Sequence, residues 1–149
     1  MDNQTFLAHA VMLELDAEEV YLKAAGLMKD QANRDAEEFF GEMADFSRKH
    51  RETAMERAGF VALADIPGDI ASWPGGNTES PDPKAFDGPL DLDGAMALAL
   101  AAERRGVSFY EEISRTTTDH QTRLLAEEYA EEERGHVVAL ERFMGIRAY

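Results

Sequence analysis

The sequence predicts an all-α fold, a four-helix bundle with a long crossover connection between helices 2 and 3. Two observations carry this. Four segments repeat their apolar residues with a period of 3.6 and are rich in Ala, Leu, Met and Glu, which favour helix. Between the second and third segments, residues 60–90 hold all five prolines and a cluster of glycines, a composition that no continuous helix accommodates. Antiparallel neighbours need only about 2–8 linking residues, so a connection this long is expected to run the length of the bundle and enter the third helix from the far end.

The first helix is expected from Thr5 to Asp30 and the second from Arg34 to Ala58, with Asn33 as its N-cap and Gly59 at its end. The third is expected from Leu92 to Arg115, capped by Asp91 or Asp93. The fourth, Asp119 to Met144, opens on a capping-box signature of Thr118 with Gln121 three residues later. In the crossover, Trp73 is expected to lay its ring against the bundle, a binding role being the alternative.

Composition narrows the function. The length of 149 residues suits one domain spanning 1–149. Thirty acidic against 15 basic residues give a formal net charge of -15, which repels nucleic acid and anionic membrane surfaces alike. With no cysteine, disulfides and thiolate-held zinc or iron–sulfur centres are excluded, and any metal must be held by His and carboxylate. The N-terminus MDNQTF is acidic and polar rather than a basic region followed by an apolar stretch, so no signal peptide is expected, and the longest apolar run, Ala95 to Ala102, is too short to span a bilayer. A cytoplasmic protein is expected.

Stepping around each helix at about 100° per residue places polar groups on the apolar stripes. In the first helix Glu14 aligns with Leu7, Ala10, Val11, Ala17 and Tyr21, with Glu18 one turn on at the edge. In the second, His50 shares a side with Phe39, Met43, Phe46 and Ala54, and Ser47 lies on the edge of that stripe. In the third, Glu103 aligns with Met96, Ala99, Val107 and Tyr110. In the fourth, Glu133 and His136 align with Ala126, Tyr129, Val137 and Leu140. His9 and His120 project to the opposite faces.

Burying these ionisable groups unpaired would cost several kcal/mol each. A metal centre compensates them most directly, because Glu and His suit iron, manganese or zinc. An internal repeat supports it: Glu14 precedes Tyr21 by seven residues, as Glu103 precedes Tyr110, and an inward His follows 36 residues after Glu14 and 33 after Glu103. Tyr21 and Tyr110 then read either as hydrogen-bond donors beside the metals or as plain core residues.

At these residues the sequence resembles the rubrerythrin family of the ferritin-like superfamily, over all four helices. The resemblance implies a ferritin-like bundle with a centre of two irons, which reacts with peroxide or dioxygen or handles iron. By the same resemblance Glu14 and Glu103 match the single glutamates of helices 1 and 3, and Glu133 with His136 matches the second Glu-x-x-His, in EERGH. The first Glu-x-x-His departs from the pattern: FSRKH keeps His50 but has Ser47 where the family has a bridging glutamate. Glu18, a hydroxide or an exogenous carboxylate could restore the lost charge, with Ser47 a weak neutral ligand; a single ion is the other outcome. Gly106 leaves no second carboxylate one turn after Glu103. Without cysteine there is no rubredoxin domain, so electrons are expected from a separate donor protein. A homodimer is expected by the same resemblance. A metal-binding bundle without redox turnover and an interaction module with a decayed site are the competing functions.

Overall fold

The computed structural model describes residues 2–66 and 90–147, which form four long helices and one short turn of 3-10 helix. Helix α1 is Asn3–Asp30, α2 is Arg34–Ala58, α3 is Leu92–Thr116 and α4 is His120–Arg147; the 3-10 turn is Leu63–Asp65. No strand occurs among the described residues. Trp73 and most of the crossover lie outside them.

The helix ends follow from local chemistry. Asp2, Asn33 and Asp91 each accept a hydrogen bond from the backbone N–H three residues on, satisfying a donor that the first turn leaves unpaired. In α4 this part falls to Asp119, which accepts from the Gln121 N–H at 3.0 Å, and not to Thr118 as the capping-box signature predicts. The aspartate is one residue nearer the first helical turn and bears a charge that the helix dipole favours. Helix α2 stops at Gly59, whose φ of 77° lies in the left-handed region.

Side-chain pairings fix the directions. Phe39 stacks on Phe143 at 4.4 Å, His50 on His136 at 5.4 Å, and Arg57 donates to the Tyr129 hydroxyl at 3.1 Å, so α2 and α4 are antiparallel neighbours. Tyr21 reaches Glu103 while Phe6 meets Tyr110, so α1 and α3 are antiparallel too. The chain leaves α2 beside Gln4, whose amide bonds the Ala58 carbonyl, and approaches α3 beside Gln31, whose amide bonds the Leu90 carbonyl. Those two glutamines sit at opposite ends of α1, so the chain leaves α2 at one end of the bundle and enters α3 at the other, as a crossover requires.

The core is in two parts. Tyr21, Met28, Phe40, Met43, Met96 and Leu140 lead one apolar cluster, and Phe6, Leu7, Val11, Tyr110 and Tyr129 lead the other. Buried alanines on every helix let the backbones approach closely. Between the two clusters lies a buried polar layer: Glu14, Ser47, Glu103, Glu133 and His136.

Gly59 meets no atom that an added Cβ would strike, so Gly59→Ala carries a purely conformational penalty. We expect a loss of about 1–2 kcal/mol in urea denaturation. Ala32, with φ of 57°, already bears that penalty, so Ala32→Gly is expected to be neutral or stabilising by the same measurement.

Candidate metal centre

Each polar side chain of the middle layer is fixed by its place on a long helix, and the four helices bring the groups face to face. The Nδ1 of His136 lies 3.3 Å from a Glu103 oxygen and 3.5 Å from a Glu133 oxygen. Those three residues, all buried, present ligand atoms within 4.8 Å of one another. On the other side His50 Nδ1 lies 3.8 Å from Glu14 Oε1 and 3.6 Å from Glu132 Oε2. The two imidazole rings are nearly parallel, 13° apart, so the halves abut through the histidines.

Electrostatics show how the metal-free layer is held together. Burial, and then the Glu103 charge beside it, pushes the Glu133 carboxyl well above the usual range. Burial pushes Glu103 up as well, but hydrogen bonds from Glu133, His136 and Tyr21 outweigh it and hold Glu103 down to about 2. His136 is pushed down by burial, yet its contacts with Glu103 and Glu133 raise it to about 11 and keep the ring cationic. Tyr21 donates its hydroxyl to Glu103, and burial beside that carboxylate raises the phenol well above its ordinary value. Protons thus occupy the place of a cation.

Whether an ion fits can be judged from spacing and from what is left unsatisfied. The Nδ1 of His50 is buried and has no hydrogen-bond partner among the described residues. Such an atom costs free energy unless something binds it. Ligand atoms that share one ion at ~2.1 Å stand ~3.0–3.8 Å apart for bond angles of ~90–130°. The separations of 3.3, 3.5, 3.6 and 3.8 Å fall in that interval. Carboxylate and imidazole are also the right donors for iron, manganese or zinc. The residues fit a metal centre.

Several residues stand apart from their sequence-predicted places. Ser47, expected at the stripe's edge, is 1% exposed and belongs to the polar layer, whereas Phe46, expected inside, is 46% exposed and lies over the His136 ring at 6.1 Å. Glu18 is bound to Arg51 at 2.8 Å and is not among the facing ligands. His9 is buried, contrary to the expectation from helical stepping, and burial lowers it to about 3; His120 is exposed as expected. Glu132 was not singled out by the helical pattern at all. Tyr110 and Gly106 line a cavity of about 30 Å³ with Glu14, Tyr21, Glu103 and Glu133. A Cβ on Gly106 would meet Glu133 at 3.5 Å, an ordinary van der Waals contact, so the position packs directly on that carboxylate.

Comparison with known proteins agrees with this geometry. The rubrerythrin family model matches residues 5–144. Among solved structures, an uncharacterized conserved protein from Magnetospirillum magnetotacticum MS-1 is similar, with a TM-score of 0.75 and 28% identity over 97% of this chain and 95% of that one. No curated protein matches the chain significantly.

A divalent ion entering the layer must expel the protons held by His136 and Glu133. Affinity is therefore expected to rise with pH, about tenfold per unit for each proton released. Calorimetry in buffers of different ionisation enthalpy should register net proton release, and none would mean that the ion binds elsewhere. Without metal the sign reverses: the stability that cationic His136 contributes is full below its ordinary value of 6.5 and is lost as pH rises toward 11. Melting temperatures of the metal-free chain across that range test this.

Proposed function

Since the chain belongs to the rubrerythrin family, we propose that it is a non-haem di-iron carboxylate protein whose reduced centre reacts with peroxide or dioxygen. The observation that carries the reading is the buried group of Glu103, Glu133 and His136 facing the unsatisfied His50 nitrogen. Glu103, Glu133 and His136 would hold one ion, and Glu14 with His50 the other. Iron bound there would supply the two electrons that, with two protons, reduce peroxide to two waters.

The chain's own residues account for the rest. The cavity of about 30 Å³ between α1 and α3 has room for a molecule of the size of water, dioxygen or peroxide. Ala17, Ala99 and Ala102 contribute apolar lining to it, and Glu14, Glu103 and Glu133 the polar lining. Tyr21 holds a proton on its hydroxyl beside Glu103 and orients that carboxylate. Tyr110, buried on the same cavity, keeps its phenol protonated because burial and the Glu14 charge raise it.

These 149 residues contain no cysteine and hence no rubredoxin-type centre, so electrons would reach the iron from outside this domain. A reducing, cytoplasmic setting accords with that composition. No helix among the described residues is long and apolar enough to cross a membrane. Two copies would pair through helix faces, as the family resemblance implies. A second reading, iron binding without turnover, is favoured by one observation: Ser47 places a neutral hydroxyl in the layer where a charged ligand is expected.

Stopped-flow mixing of the ferrous-loaded chain with peroxide separates the two readings. We expect oxidation of bound iron well above the rate for free ferrous ion, abolished in His136→Ala, and slowed with the metal retained in Tyr21→Phe. Oxidation no faster than in buffer would leave the binding-only reading in its place.

A further inference from the structure

We propose that Glu132 supplies the fourth carboxylate of the centre, binding the ion held by Glu14 and His50 and replacing the glutamate that Ser47 does not provide. The proposal rests on the two-ion reading above. It starts from the position of α4, which faces α2 through His50 and α3 through Glu103. Successive helical residues project about 100° apart. Adjacent glutamates therefore serve different neighbours: Glu133 turns to His136 and the α3 side, and Glu132 turns to His50 on α2.

The spacing distinguishes a ligand from an ion-pair partner. Glu132 Oε2 is 3.6 Å and Glu14 Oε1 is 3.8 Å from the same buried nitrogen, and neither bonds it. A charge-assisted bond to a cationic imidazole would close to about 2.7–2.9 Å. Here two acids stand back equally from one nitrogen. In the other half two carboxylate oxygens likewise stand 3.3 and 3.5 Å from His136 Nδ1, and there the three ligand atoms already lie within 4.8 Å of one another. With Glu132 swung onto the ion beside Glu14, the His50 half would hold two glutamates and one histidine, as the His136 half does.

Charge points the same way. Glu14, Glu103 and Glu133 carry three negative charges against the four positive charges of two divalent ions; Glu132 supplies the missing one. Glu18, the other carboxylate in reach, is committed to Arg51 at 2.8 Å. The Glu132 side chain is 35% exposed, whereas those of Glu14, Glu103 and Glu133 are at most 11% exposed. The ion at His50 therefore sits at the solvent edge and is the weaker and more exchangeable of the two.

Cobalt(II), titrated into the full chain against a chelating dye, tests this without reference to turnover. Wild type is expected to bind two ions per chain. Glu132→Gln should keep the tight ion and weaken the other by about tenfold or more. Glu18→Gln should bind as wild type, and adding Ser47→Glu to Glu132→Gln should restore the second ion. If Glu132→Gln binds both ions as wild type does, while His136→Ala loses one, Glu132 is no ligand and the two-ion reading stands. If wild type binds a single ion, and equally in Glu132→Gln, both fail. Joint loss of both ions in Glu132→Gln, with no recovery on adding Ser47→Glu, overturns the proposal as well.

Discussion

Like charges buried at one level of a bundle repel one another, and everything about this fold's middle layer answers that repulsion. Three glutamates lie below 10% exposure between two apolar clusters that offer them no solvent. Taking ionised groups out of water costs several kcal/mol each, so the layer persists only with compensating positive charge. In the metal-free chain that charge is a proton set, shared among Glu103, Glu133 and His136 and supported by the Tyr21 hydroxyl. It leaves the His50 nitrogen unsatisfied. Two divalent ions would resolve both problems at once, which is why the apolar clusters on either side can be read as the frame of a site.

The crossover is the topological counterpart of that frame. Because α2 and α3 run in the same direction, each helix has two antiparallel neighbours. Glu14 and His50 then meet across α1 and α2 while Glu103 and His136 meet across α3 and α4. The repeated helix pairs thus bring equivalent ligands together, and stacking of the two histidines joins the halves. Aromatic contacts above and below, Phe39 with Phe143 and Phe6 with Tyr129, set the spacing between the pairs.

Much of this was legible in the sequence, for a definite reason. A 3.6 period locates helices, and prolines confined to one stretch locate the crossover. An isolated Glu or His on an apolar stripe is conspicuous, so Glu14, Glu103, Glu133 and His136 could be placed inside. What failed was the assumption of one inward stripe per helix. Residues 6–11 of α1 are all buried, so His9 is enclosed although it points away from Glu14. Helix α4 faces two neighbours, so Glu132 reaches His50 from outside the stripe that contains Glu133. In α2 the buried arc passes through Ser47 and leaves Phe46 at the rim, a shift that hydrophobicity alone ranks the wrong way round. The end of α4 turned on one position, because Asp119 caps more effectively than the threonine before it.

The central claim is that the polar layer is a two-ion site, and anomalous X-ray scattering from crystals loaded anaerobically with ferrous iron tests it most directly. The account predicts two iron peaks inside the layer, one among Glu103, Glu133 and His136 and one beside His50 and Glu14. A single peak, or iron found only on the acidic surface, would contradict it.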